Sequence, residues 1–188
     1  MILGAAGRYE GTGIGRTMMA VYIALLRGIN VGGAGILAMK ELTAMCGKLG
    51  FAKARTYIQS GNVIFESGLK EDAVQHELEK ALYVKMGKKI HVMVRTPAEM
   101  RATLEANPFP DKEPNRVTVA FLGGKPPVEQ LRGLTGPAGE QVRAGSREVY
   151  VYYPEGMGRS KLKLPLGGAV ATVRNINTIS KLMKLAEG

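Results

Sequence analysis

The order in which strand and helix periodicities alternate constrains the fold of this chain more than any other feature. Apolar residues recur with a period of two in short runs and near 3.6 in longer ones. The predicted elements are a strand at 19–26, a helix at 39–49, strands at 55–59 and 62–66, a helix at 71–86 and a strand at 90–95. The Ser60-Gly61 pair suits a tight hairpin between the two middle strands. This β-α-β-β-α-β order predicts the split unit of a ferredoxin-like fold.

A similar order recurs in the second half of the chain. Thr96-Pro97-Ala98-Glu99 has the residues of a capped helix start, and we expect that helix to end near Asn107. The elements predicted after it are a strand at 116–122, a short helix at 128–134, a hairpin of 141–144 and 148–153, a helical turn at 161–166, a strand at 171–174 and a final helix with Ile176, Ile179, Met183 and Ala186 on one face. The two halves share this order rather than detectable sequence identity.

The fold class that we predict is α+β, with two ferredoxin-like (split β-α-β) lobes in tandem. We expect antiparallel or mixed sheets with helices packed on one face. Residues 19–96 are assigned to the first lobe and residues 97–188 to the second, and the two are expected to pack as one compact unit.

Residues 1–18 precede the first convincing strand and are predicted to be a disordered or non-native leader. They lack a charged segment followed by a sustained apolar one, which is the pattern of a secretory signal. Gly11, Gly13 and Gly15 have the spacing of a nucleotide-binding loop. Such a loop follows a strand and opens a helix, whereas these glycines precede a strand, so we reject them as a cofactor motif.

Charge and cysteine content narrow the classes of partner. The formal net charge is +10, which suits an anionic partner but is equally typical of a protein whose whole surface is basic. Cys46 is the single cysteine, so the chain can form no internal disulfide and no multi-cysteine metal site. No apolar run approaches the roughly 20 residues of a membrane-spanning helix. We therefore predict a cytoplasmic protein with no membrane partner.

Recognisable catalytic constellations are missing from the sequence. His76 and His91 are far apart and neither has a partner at metal-ligand spacing. The chain contains no Walker motif and no Gly-x-Ser-x-Gly elbow, and Ser160 and Lys161 are adjacent rather than spaced as Ser-x-x-Lys. Glu155 is more typical of a loop ion pair than of a lone general acid. The sequence thus predicts no metal and no cofactor, and it identifies no reaction.

Five segments carry a family resemblance that periodicity does not explain. They are YIALLRGINVGG (22–33), TYIQSGNVIF (56–65), NPFP (107–110), YYPEGMGRSKL (152–162) and TVRNINTISKL (172–182). Together they closely resemble the bacterial family of unknown function DUF1697. The resemblance implies a small two-lobed α+β protein of bacterial origin without an established activity. One departure is Ile176, where the family commonly has a tryptophan.

The same segments place polar residues beside glycines in predicted loops, which suits recognition of phosphate or carboxylate. The candidate ligand-binding residues are Arg27, Asn30, Gly33, Gln59, Ser60, Asn62, Arg159, Ser160, Lys161, Arg174 and Asn175. Other roles remain open for several of them. Asn175 is equally suited to capping the last helix, Ser60 and Asn62 to forming a turn, and Arg27 to lying in solvent.

The leading hypothesis is that this protein binds a small anionic ligand, such as a nucleotide or a phosphorylated or carboxylated metabolite. A first alternative is nucleic-acid binding on a basic sheet face, with Tyr57, Phe65, Tyr150 and Tyr152 near strands. The low aromatic content and the lack of an RNA-recognition strand motif argue against it. A second alternative is a protein–protein interaction module that forms homodimers through exposed sheet edges.

Overall fold

The structure, a computed structural model, describes residues 18–30 and 36–188. The leader predicted at residues 1–18 lies almost entirely outside the described residues. The strands are β1 (Ala20–Leu26), β2 (Ala52–Thr56), β3 (Asn62–Ser67), β4 (Val92–Arg95), β5 (Val117–Leu122), β6 (Gln141–Ala144), β7 (Glu148–Tyr152) and β8 (Ala171–Asn175). The helices are α1 (Met39–Lys48), α2 (Glu71–Met86), α3 (Pro97–Glu105), α4 (Val128–Leu131) and α5 (Ile176–Glu187).

These strands form two four-stranded antiparallel sheets with equivalent strand orders. The first sheet has the order β2-β3-β1-β4 and the second has the order β6-β7-β5-β8. β1 and β5, the first strands of the two lobes, therefore occupy equivalent interior positions. β1 pairs with β3 and β4, and β5 pairs with β7 and β8. The predicted fold class is confirmed: the chain is α+β, with two tandem sheet–helix lobes. The limits of the two lobes at residues 96 and 97 stay a prediction.

The alternation of side chains along β1 explains how the layers stack. Tyr22, Ala24 and Leu26 belong to a core that the first sheet shares with α1 and α2. Ile23 and Leu25, on the opposite face, belong to a second core that contains residues of α3, α5 and the second sheet. Helices thus cover both faces of the first sheet rather than the one face that we expected, because α3 and α5 lie between the two sheets.

The outer face of the second sheet is covered by α4 and by an extended segment at 160–166. The helical turn predicted at 161–166 is wrong, because none of these residues is helical and only a short 3-10 turn, Met157–Arg159, precedes them. Leu162, Leu164 and Leu166 all pack onto this face. Their spacing of two is the period of an extended chain, and Pro165 cannot donate a helical hydrogen bond.

Two other predicted boundaries shift for local reasons. β2 begins earlier and ends earlier than predicted, because the pairing register shifts between Ala52 and Arg55 and the chain turns at residues 57–61. The helix predicted at 128–134 stops after Leu131, just before Gly133 adopts a φ of 67°. In α5 the predicted residues Ile176, Ile179 and Ala186 are buried, but the fourth buried residue is Leu182, and Met183 is half-buried at the edge of the core.

Polar contacts connect the lobes on one side of this core. Arg95, with 0% exposure, donates from Nη2 to the Leu122 carbonyl at 2.7 Å. Arg147, next to β7, forms ion pairs with Glu71 at 2.6 Å and with Glu99 at 3.0 Å. Hydrogen bonding by Glu71 raises the pKa of Arg147. Thr96 and Glu99 form the predicted capping box of α3, so one carboxylate both caps a helix and pairs with the second lobe.

Candidate functional site

An open groove of about 650 Å³ lies where the end of β1, the β2–β3 turn and β8 meet. Its volume falls in the range of small-molecule sites. Three chain segments contribute the lining residues, which are Arg27, Gly28, Ile29, Asn30, Gln59, Ser60, Ala171, Thr172, Val173 and Arg174. Five of the candidate residues chosen from the sequence are therefore brought together here.

The segment after β1 is shaped by two residues with positive φ. Gly28 has a φ of 62° and Asn30 has a φ of 56°, a conformation that asparagine tolerates better than most side chains. Asn30 accepts the Leu37 N–H at 2.8 Å and donates from Nδ2 to the Leu37 and Gln59 carbonyls. The Asn30 side chain thus connects this segment to the hairpin turn, and its role is to hold the groove in shape.

Gly61 allows the hairpin turn to approach the end of β1. Its φ is 77°, and a Cβ at this position would lie 2.5 Å from Cδ1 of Ile29. The Gly61 carbonyl also accepts the Leu26 N–H at 2.8 Å. Only glycine combines this conformation with this contact, so Gly61 sets the position of Ser60 in the groove.

Asn62 connects the same turn to β8. It is completely buried, and its Nδ2 donates to the Tyr57 carbonyl at 2.9 Å and to Ser60 Oγ at 3.1 Å. Its Oδ1 accepts a hydrogen bond of 2.6 Å from Nε of Arg174. All the polar atoms of this side chain are therefore used inside the protein, beneath the groove rather than in it.

Arg174 forms the floor of the groove. Its guanidinium donates to six oxygen atoms: Asn62 Oδ1, Thr172 Oγ1 and the carbonyls of Leu26, Ser60, Gly61 and Val173. No carboxylate forms an ion pair with Arg174 in the described part of the chain. Burial away from water lowers the pKa of Arg174 to about 10. The groove thus has a positive charge beneath it that is hydrogen-bonded to neutral groups and has no ion-pair partner among the described residues.

Polar groups of the rim come from the exposed side chains of Arg27 and Gln59 and from the half-buried Ser60. The side chains of Arg27 and Gln59 are exposed and make no hydrogen bond or ion pair with another described residue. Ser60 Oγ accepts from Asn62 and donates to no described acceptor. None of the described lining residues is acidic. These three side chains are therefore available as hydrogen-bond donors to a bound anion.

The other candidate residues lie elsewhere. Arg159, Ser160 and Lys161 follow β7, whose last residue, Tyr152, pairs with Val117 at the start of β5. The groove residue Ala171 pairs with Leu122 at the other end of β5. A full strand length thus separates the 159–161 loop from the groove, about 17–20 Å for six residues.

Local contacts account for Ser160 and Asn175, and a further candidate is outside the described residues. Ser160 hydrogen-bonds the buried Glu140, and this contact lowers the pKa of that carboxyl group. Asn175 caps α5, because its Oδ1 accepts the Thr178 N–H at 2.9 Å. Gly33 lies outside the described residues.

Thr172 is a lining residue that our sequence analysis missed. It donates to the Leu26 carbonyl and accepts from Arg174 Nη1 at 3.0 Å. The sequence does contain a signal for Thr172. Residues two apart on a strand share a face, so Thr172 is expected on the same face as the candidate Arg174. Ala171 and Val173 also line the groove, but their side chains are apolar and gave no reason to select them as candidates.

Two further observations bear on chemistry. Within residues 18–30 and 36–188, no group of three or more histidine, cysteine, aspartate or glutamate side chains is arranged to hold a metal ion. No helix in these described ranges has the length and apolar character needed to cross a membrane. A second groove, of about 610 Å³, lies between α1 and α2 and is lined by both lysines and glutamates. The lining of this second groove thus carries both signs of charge, whereas the charged residues that line the first groove are all arginines.

The fold and the groove define a two-lobed α+β protein with a basic groove at the junction of its two sheets. The chain belongs to the family of proteins of unknown function DUF1697, whose model matches residues 19–150. This match confirms the predicted family, and it includes the 22–33, 56–65 and 107–110 segments.

Comparison with solved structures supports the same fold. The conserved bacterial protein SP0830 from Streptococcus pneumoniae superposes with a TM-score of 0.72 at 25% sequence identity, covering 90% of this chain and 99% of that one. A search of curated proteins found no match.

Proposed function

We propose that the groove binds a small anionic ligand, namely a nucleotide or a phosphorylated or carboxylated metabolite. The observation that carries this proposal is the charge of the lining: Arg27 at the rim and Arg174 at the floor, with no acidic residue among the described lining residues. The proposal concerns binding and assigns no reaction, because the described lining residues include no histidine, cysteine or carboxylate beside the arginines.

The two arginines contribute in different ways. The Arg27 guanidinium is exposed and free to form two parallel hydrogen bonds with a carboxylate or phosphate, a geometry that lysine cannot offer. Arg174 donates all its N–H groups to protein oxygens, so it acts on a ligand through its charge. That charge acts strongly at short range because it lies in a region of low dielectric constant.

The nucleic-acid alternative receives less support. Phe65 and Tyr150 are both buried, and Tyr150 donates its hydroxyl to the Thr103 carbonyl at 2.8 Å. Neither ring is available for stacking on a base, and helices cover both faces of the first sheet. We also propose a cytoplasmic location from the single, buried Cys46, which cell fractionation would test.

A thermal-shift screen of the full chain tests the binding proposal. The panel contains adenosine monophosphate, adenosine triphosphate, glucose 6-phosphate, 3-phosphoglycerate, citrate and succinate, all at one ionic strength. We expect at least one of them to raise the Tm of the wild type by about 2–4 °C, the effect of roughly 1 kcal/mol of binding energy in a chain of this size. Arg27→Gln should lose this shift, because it removes the exposed cation of the groove.

Arg159→Gln is the matched control, since Arg159 is also exposed but lies beyond the far end of β5. This variant should keep the full response. If no compound stabilises the wild type, or if Arg27→Gln responds as strongly as Arg159→Gln, the groove is not an anion site.

A further inference from the structure

We infer that the groove selects a ligand with one anionic group, either a carboxylate or a phosphomonoester, over a ligand with a chain of phosphates. This inference rests on the proposed function and narrows it. It follows from counting the side-chain donors and the side-chain charges that the described lining residues still have available.

The floor contributes charge but no free donor. Arg174 Nη2 is shared among the carbonyls of Leu26, Ser60 and Gly61, and its Nη1 and Nε are bonded to other oxygens. The Thr172 hydroxyl donates to the Leu26 carbonyl. A ligand could use these donors only by breaking contacts within β8 or contacts that hold β8 to the end of β1 and to the β2–β3 turn. An anion in the groove is therefore attracted by the positive charge of Arg174 but receives no hydrogen bond from it.

The rim contributes a single guanidinium. Arg27 has the only side-chain cation among the described lining residues that is exposed to a ligand, and Ser60 and Gln59 add neutral donors. One guanidinium fork pairs with the two oxygens of one carboxylate or of one phosphate. Ser60 and Gln59 can then donate to oxygens that the fork leaves free.

A second or third phosphate would find no further cation among the described lining residues. Its charge would be partly desolvated in the groove without a matching partner, which costs free energy. The general attraction of a +10 chain for polyanions acts in the opposite direction, but it belongs to the whole surface and is screened by salt. Selectivity for one anionic group is therefore visible only when the ionic strength is held constant.

The test is a set of binding measurements on the full chain with orthophosphate, pyrophosphate, tripolyphosphate, acetate and neutral acetamide, all at one fixed ionic strength near 0.15 M. Dissociation constants come from Tm shifts across a concentration series. We expect orthophosphate, acetate or both to bind, with no tightening from orthophosphate to tripolyphosphate. Acetamide should have no effect. Binding by only one of the two single anions identifies which chemistry the groove prefers.

Three variants separate the groove from the general surface. Arg27→Gln should weaken binding of the single anion at least tenfold, about 1.4 kcal/mol. Arg27→Lys keeps the charge but loses the fork, and should fall between Arg27→Gln and the wild type. Arg159→Gln should bind as the wild type does.

The outcomes distinguish this inference from the proposed function. If tripolyphosphate binds more tightly than orthophosphate and acetate, and Arg27→Gln abolishes that binding, the groove binds anions but the preference for one anionic group is wrong. If affinity rises with phosphate number equally in the wild type and in Arg27→Gln, the inference and the proposed function are both wrong, and the binding is a property of the basic surface.

Discussion

Nε of Arg174 donates a 2.6 Å hydrogen bond to the side-chain oxygen of Asn62, a residue 112 positions earlier in the chain. The contact joins β8 to the first residue of β3, and the same guanidinium binds the carbonyls of Ser60 and Gly61 in the preceding turn. The floor of the groove is thus also a connection between the two sheets. Stability and binding at this site should depend on the same side chain.

Replacing Arg174 should destabilise the whole protein. Arg174→Met leaves buried carbonyls without donors, each a loss of about 1–3 kcal/mol before relaxation, so we expect the free energy of unfolding to fall by about 2–5 kcal/mol. Arg174→Lys should lie between this variant and the wild type, because an ammonium cannot reach all six acceptors. Urea unfolding measures the effect, with the exposed Arg159→Met as a control expected to change by less than about 0.5 kcal/mol. Equal stability of Arg174→Met and Arg159→Met would contradict this role.

Gly61→Ala should distort the hairpin turn. The substitution places a side chain at a φ of 77° and brings its Cβ within 2.5 Å of Ile29. Strain in the left-handed region costs about 1–2 kcal/mol and overpacking a further 1–3 kcal/mol. We expect a total loss of about 2–4 kcal/mol in urea unfolding.

Gly124→Ala is the matched control for Gly61→Ala. A Cβ at Gly124 meets no atom within 4 Å, and Gly124 has no positive φ. Its stability should change by less than about 0.5 kcal/mol. If the two alanine variants are equally stable, Gly61 does not set the geometry of the groove.

Cys46 should give the protein an alkaline sensitivity. Burial raises the pKa of this thiol to about 12, whereas in the unfolded chain it has its ordinary value of 9.0. Above pH 9 the unfolded state loses a proton that the folded state keeps, so the free energy of unfolding decreases as pH rises. At pH 10 the loss should be roughly 1 kcal/mol relative to pH 7.

The Cys46→Ala variant isolates this contribution. Both proteins contain the buried Tyr150 and Tyr153, whose raised pKa values contribute equally to both pH profiles. Relative to Cys46→Ala, the wild type should therefore lose about 1 kcal/mol in its free energy of unfolding between pH 7 and pH 10, as measured by urea unfolding. A constant difference across this range would show that the thiol is not buried in the folded state.

The sequence was most informative where periodicity and local chemistry agree. Residues 71–86 repeat apolar positions over four turns, and α2 has the predicted limits. Thr96 and Glu99 form the capping box that their spacing predicts. The helical turn predicted at 161–166 is wrong because Leu162, Leu164 and Leu166, which are separated by Lys163 and Pro165, have a spacing of two, the period of an extended chain.

The candidate site was harder to predict because it depends on contacts between distant segments. The glycine-rich loop with Arg159 and Lys161 had the strongest local pattern, yet it lies a strand length from Arg27 and Ser60. The position of Arg174 in the sequence places it beside the start of α5, whereas its partners outside β8 are at the end of β1, in the β2–β3 turn and at the start of β3. No local pattern encodes which loops meet, since that follows from the register of β5 with β7 and β8.

The most direct measurement of the central claim is the position of a bound anion. Crystals of the full chain grown with selenate, an analogue of a tetrahedral anionic group, allow the selenium to be located from its anomalous scattering. We predict a peak within hydrogen-bonding distance of the Arg27 guanidinium and Ser60 Oγ. A peak beside Arg159 and Lys161 with none in the groove, or no ordered selenate at a concentration that shifts Tm, would contradict the assignment of the groove as the anion site.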